Sequence, residues 1–148
     1  MYNDCKLKYK ESVILKTTDV DELKLVAKKV RHGIIEAVYH AKSGHPGGSL
    51  SCVDILTVLY FNQMNINEKE PQMRTRDKFV LSKGHCAPAL YSVLAQKGYF
   101  DTKELKELRK LDSRLQGHPD MTGIPGVDMS TGSLGQRIIC GKWDSFGI

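Results

Sequence analysis

Three of the five histidines stand in turns marked by glycine and proline. His45 lies in Ser43-Gly44-His45-Pro46-Gly47-Gly48, His85 follows Lys83-Gly84, and His118 lies in Gln116-Gly117-His118-Pro119-Asp120. An imidazole titrates near neutral pH, so it can move a proton or donate to a developing oxyanion. Glycine beside it lets a ligand come close to the backbone. One such histidine alone is more often structural; three in similar settings make a shared pocket plausible. A fourth feature, Gly132-Ser133-Leu134-Gly135, would present backbone N–H groups at a turn, an arrangement that can hold a phosphate. It is neither a Walker loop nor a Gly-x-Gly-x-x-Gly, and a plain turn reads the same way. His32 and His40, on or near a helix, read as ordinary surface or packing residues.

The elements that position these residues follow from periodicity. Thr18 reads as an N-cap, with Asp19, Asp21 and Glu22 in the first turn of a helix over about 19–42. Leu23, Val26, Ala27, Val30, Ile34, Ala37 and Val38 give it one apolar stripe. The glycine- and proline-rich stretch 43–48 ends it. A second helix, from near Ser51 to about 62, is apolar nearly all round, which predicts deep burial. Residues 63–77 read as a surface loop. Lys78-Phe79-Val80-Leu81-Ser82 has the pattern of a short buried parallel strand. A helix then runs to about Lys97 with Gly98 at its C′ position, and Asp101 or Thr102 caps another with Leu105, Leu108 and Leu111 on one face. Residues 112–136 form a long irregular stretch, and such loops are often functional. Residues 1–17 read as a loose basic arm or strap.

Composition narrows the class. The chain has 148 residues, 22 Lys+Arg against 17 Asp+Glu, and 41% hydrophobic residues, which suits about one globular domain. The formal charge of +5 fits a solvated surface as well as an anionic ligand. Neither basic cluster, Lys6–Lys16 or Lys28–Arg31, carries the aromatics of a single-strand nucleic-acid platform, so no nucleic-acid partner is expected. No apolar run approaches the roughly 18 residues of a membrane span, and no secretory signal is evident. A cytoplasmic protein is the expectation. Cys5, Cys52, Cys86 and Cys140 form no Cys-x-x-Cys pair, and Cys52 and Cys86 read as small buried hydrophobes.

Taken together, Ser43–Ser51, Asp54–Tyr60, Asp77–Tyr91, Gly98–Phe100 and Leu115–Gln136 resemble, in order, the N-terminal part of a transketolase. They are most similar to the split bacterial type, built from separate N- and C-terminal subunits. Deoxyxylulose-phosphate synthases share a Ser-Gly-His motif, but Gln116–Asp120 and Met129–Gln136 fit transketolase better. The resemblance implies an α/β fold, with residues 1–136 the helix-rich N-terminal part of a doubly wound parallel-sheet domain. It implies thiamine diphosphate as cofactor and transfer of a two-carbon ketol unit between sugar phosphates. By the same resemblance His45 and His118 match histidines that contact the substrate hydroxyl and oxyanion. His85 matches the one beside the diphosphate and the reacting centre. Gly132, Ser133 and Leu134 lie in the loop whose backbone contacts the cofactor. The implied partners are further copies, in a homo-oligomer, and a separate C-terminal subunit.

The family's metal site departs from this pattern. Its Gly-Asp-Gly and later asparagine, which hold Mg2+ or Ca2+ on the diphosphate, have no counterpart here. After Gln136 the family has glycine and a helix of small residues, whereas this chain has Arg137–Ile148. One permitted coding of that tail, with synonymous codons chosen for the purpose, reads one base later as Gly-Leu-Ser-Val-Ala-Ser-Gly-Ile-Ala-Leu-Gly. The Trp143-Asp144 junction forces a glycine in that frame whatever the codon choice. The expectation is that residues 137–148 are frameshifted. The chain alone is then inactive, binds the diphosphate poorly and exposes core surface. The rival expectation is a non-catalytic remnant or a module that docks on intact subunits.

Overall fold

The computed structural model describes residues 16–134. Four α-helices carry the fold: α1 (Val20–Ala41), α2 (Pro46–Leu50), α3 (Val53–Val58) and α4 (Ala87–Lys97). A π-helical turn (Leu59–Gln63) continues α3, and two 3-10 turns (Gly84–Cys86 and Thr102–Glu107) flank α4.

The two long helices make the frame. Asp19, one residue after the expected Thr18, caps α1 by accepting the Asp21 N–H at 2.8 Å, and Lys42 closes it in the left-handed region at φ 49°. Val26, Val30 and Ile34 on its stripe are fully buried. At Gly33, α4 comes so close that an added Cβ would lie 2.4 Å from Ser92 Oγ and 2.9 Å from Leu105 Cδ1. Ser92 Oγ in turn donates to Val30 O at 2.8 Å, so the one polar side chain at this crossing is satisfied. Nearly every residue of α4 is buried, and Gly98 at φ 97° ends it with its N–H shared between Leu94 O and Ala95 O. Asp101 caps the following turn, which is 3-10 rather than α. Leu105 and Leu108 pack inward, but Leu111 is 92% exposed and leaves the expected face.

Three further expectations change. The stretch 43–48 is not all turn, because Pro46 is pre-set for a helix N-terminus and opens α2. The second helix is divided: α3 gives way to the π turn, which carries the buried Tyr60 and Phe61, and Ile55 (65%) and Val58 (41%) face outward. Lys78–Leu81 takes no regular structure and Ser82 is a bend, so no strand forms among the described residues. A strand needs a neighbouring extended chain to take its N–H groups. Here the Phe79 N–H donates instead to the Asp128 carboxylate at 2.7 Å. Gln63 closes the π turn and residues 64–77 are a loop, while Lys16 and Thr17 lie against the π turn, through Lys16 Nζ to Gln63 O (3.1 Å) and Thr17 N to Phe61 O (2.8 Å). The rest of the proposed arm and the 137–148 tail lie outside the described residues, as do Cys5 and Cys140. Cys86 is fully buried and Cys52 partly so. No helix among the described residues is long and apolar enough to cross a membrane.

Candidate functional site

The three histidine turns converge on one side of α4. His45 immediately precedes α2, and His85 lies in the 3-10 turn that opens α4. Their rings meet edge to face, with centroids 5.1 Å apart and planes at 73°. The residue before His85 then links to the glycine loop. An added Cβ at Gly84 would fall 2.6 Å from Thr131 Oγ1 and 2.9 Å from Gly132 N, so only glycine permits that approach. Gly132 in turn faces His118, whose ring carbons would lie 3.7–3.8 Å from a Cβ added there. His45, His85, Gly84, Gly132 and His118 thus form a continuous set. His32 and His40 stand outside it, both exposed, with His40 edge-on to Tyr39. Ser133 and Leu134 are exposed, and Gly135 lies outside the described residues.

Separate polar ties hold the turns. Lys83 Nζ donates to Gly48 O (2.6 Å) and Ser51 Oγ (3.1 Å), joining the His45 and His85 turns. Gly48 has no room for a side chain, since an added Cβ would lie 2.7 Å from Cys86 Sγ. Burial pushes the Cys86 thiol pKa up, against the opposing effect of Lys83, so it is not a ready thiolate. The Tyr91 hydroxyl lies 2.9 Å from both Gln116 O and His118 O, bracketing the His118 turn; burial raises its pKa well above the usual tyrosine value, so it stays protonated and can donate. Thr131 N donates to Pro119 O at 3.2 Å, closing the long loop on itself. Asp120 gathers Thr122 N (3.0 Å), Thr122 Oγ1 (2.9 Å) and Ser130 Oγ (3.2 Å), and the Thr122 N–H holds its pKa below the usual carboxylate value.

The base of the loop is anchored by a buried ion pair between Arg76 and Asp128, whose side chains are 10% and 4% exposed. Asp128 also takes the Phe79 N–H, so both carboxylate oxygens are engaged. Burial and the Asp128 charge raise the pKa of the neighbouring Tyr60 hydroxyl, and burial raises that of Tyr99. Sequence reasoning missed Lys83, Tyr91, Arg76, Asp128 and Thr131. Their partners lie 25 to 52 residues away for all but Thr131, so no local spacing marks them.

Thr131 Oγ1 is buried without a hydrogen-bond partner, directly at Gly84 and beside Gly132. An unpaired hydroxyl beside the partly exposed Gly132 suits a ligand rich in acceptor oxygens. Among the described residues no three His, Cys, Asp or Glu side chains stand together as a metal site.

Residues 22–142 match the family model described as "Transketolase, thiamine diphosphate binding domain", more than three quarters of the chain. The chain belongs to the transketolase family. Transketolase relatives are similar across the same region. One of the subunits of the apulose-4-phosphate transketolase of Phocaeicola vulgatus is 43% identical over 122 residues, which is 82% of this chain and 43% of that protein. The 6-deoxy-6-sulfo-D-fructose transketolase subunit SqwG of a Clostridium species is 44% identical over 78% of this chain and 42% of its own length. The crystal structure of Pichia stipitis transketolase in complex with sedoheptulose-7-phosphate superposes with a TM-score of 0.77 at 38% identity, over 80% of this chain and 18% of that one. The helical frame is therefore part of a transketolase fold. The chain spans less than half the length of these transketolase relatives. The family match runs to residue 142, six residues past Gln136.

Proposed function

We propose that this chain supplies the histidine-bearing half of a thiamine-diphosphate site for ketol transfer between sugar phosphates. The reading rests above all on the contact chain from His45 through His85, Gly84 and Gly132 to His118. When bound, thiamine diphosphate supplies a nucleophilic carbon and a sink for the electron pair of the breaking C–C bond. The chain's own residues orient and move protons. In this reading His45 and His118 hold the substrate's hydroxyl and developing oxyanion, and His85 stands beside the diphosphate. The backbone at Gly132, Ser133 and Leu134, with the free Thr131 hydroxyl, meets the cofactor. Mg2+ or Ca2+ on the diphosphate would be held in the full-length family by the Gly-Asp-Gly and later asparagine that this chain lacks. A C-terminal transketolase subunit completes the site, within a homo-oligomeric assembly, so the chain alone is inactive.

The test is cofactor binding by equilibrium dialysis with Mg2+ present, and ketol transfer by the chain alone and mixed with a transketolase C-terminal subunit. No transfer is expected from the chain alone, and in the mixture transfer is expected only from a version continued in the adjacent frame to its Gly-Asp-Gly; His85→Ala is expected to weaken binding about tenfold or more, the worth of one hydrogen bond to a charged group. Binding indifferent to alanine at His45, His85 and His118 would overturn the residue assignment. A second reading has one observation in its favour. Ile35 and Tyr39 on α1 and Ile55 and Val58 on α3 are exposed, as suits a non-catalytic module docked on intact subunits. No cofactor binding, with stable association to intact transketolase subunits, would establish it. The frameshift proposed for residues 137–148 is tested by reading the gene across those codons: a Gly-Asp-Gly in the adjacent frame is the expected result.

A further inference from the structure

Arg109 carries a guanidinium for which no carboxylate lies in ion-pair range among the described residues, and it stands between two of the three histidine turns. Its Nη1 donates to Ser43 Oγ at 2.7 Å, two residues before His45. On the other side it fills the space over Gly117, the residue before His118. A Cβ added there would lie 3.0 Å from Nε, 3.0 Å from Nη2 and 3.1 Å from Cζ. The backbone beneath it is fixed. Arg109 N–H donates to Leu115 O at 2.8 Å, and the flanking Leu108 and Leu115 are buried. Arg109 itself is held at φ 60°, a conformation L residues seldom adopt. Its charge also reaches Tyr91, whose hydroxyl sits on the Gln116 and His118 carbonyls.

Between Ser43 and His45 lies only Gly44, at φ 145°, which gives the turn little stiffness of its own. We propose that Arg109 is a positioning residue, a strut across the surface that sets the His45 turn against the His118 turn. This rests on the functional reading above only in giving those histidines a common task. A lysine could reach Ser43 but lacks the planar fork that also covers Gly117, so the two contacts are separable.

The test is NMR of the chain labelled at the histidine Cε1 and the leucine methyls. In Arg109→Leu, the His45 and His118 signals are expected to shift, while His85 and the methyls of Leu90 and Leu94 stay in place. Ser43→Ala is expected to move His45 alone, and Arg109→Lys to restore His45 but not His118. Should Arg109→Leu fail to fold, the Ser43→Ala and Arg109→Lys spectra decide. His45 and His118 unmoved in all three, or core methyls displaced as much as the histidines, would overturn the strut. The readout uses no cofactor, so failed cofactor binding with these shifts intact would count against the functional reading and leave the strut standing.

Discussion

The helical frame and the histidine loops are held by different forces. Around the crossing of α1 and α4 the contacts are apolar except for Ser92 on Val30 O: Val26, Val30, Ile34, Leu90, Leu94 and the neighbouring Leu105 are all at most 2% exposed. Between residues 108 and 134 the chain has little regular structure: Leu108, Leu115, Ile124 and Val127 root it in the core, and single polar contacts order the turns between them. These are Tyr91 on two carbonyls, Asp128 on Arg76 and Phe79, Asp120 on Thr122 and Ser130, and Arg109 on Ser43. Burial spread over many atoms fails gradually, whereas a buried polar contact that loses one partner strands the other. The site is thus precise because it depends on few contacts, and for the same reason it is the more easily broken of the two regions.

The largest expected effect is in the loops. Asp128→Ala leaves the Arg76 charge buried and the Phe79 N–H without its acceptor, and should cost about 3–5 kcal/mol by urea denaturation. A cost under about 1 kcal/mol would mean that the pair is not what anchors the loop. Within the frame, Leu94→Ala should cost about 2–5 kcal/mol through lost burial and a cavity, and lower all histidine-loop and helix signals together. Tyr91→Phe is expected to cost about 1 kcal/mol and to act locally. Native-state hydrogen exchange should then show faster opening near Gln116–Pro119 with α4 protection kept; uniform loss would erase the distinction between the regions.

The smallest effect is electrostatic. Asp120 has its pKa lowered by the Thr122 N–H, so its contribution is present above the ordinary carboxylate value and is lost as pH falls through the lowered one. Asp120→Asn should therefore lose that small contribution at pH 7 and flatten the acid limb, so that variant and parent converge as pH falls through that window. Equal loop stability at pH 7, or a difference that persists below the window, would contradict the assignment.

The two regions also differ in how far the sequence reveals them. The stripe of α1, the presence of α4 and Gly98 as its terminator could be read directly, since helix periodicity and capping are local signals. The grouping of His45, His85 and His118 was suggested by their glycine-marked turns, and the structure brings the three turns together. The ties that hold them were not legible, because Lys83 to Gly48, Tyr91 to His118 and Arg76 to Asp128 join residues 27 to 52 apart. Lys78–Ser82 has a strand's pattern, yet its fate depends on a partner chain that no local pattern names. The outward turn of Ile55 and Val58 follows the same logic: an apolar run says that a face can be buried, not that a neighbour is there.

The central claim is that one contact chain joins the three histidine turns. The most direct measurement is a set of NMR distance contacts among the labelled histidine rings and Gly132. The structure predicts a cross-peak between the His45 and His85 rings, at 5.1 Å between centroids, and another from the His118 ring to the Gly132 α-protons. Strong signals from a folded protein with neither cross-peak would contradict it.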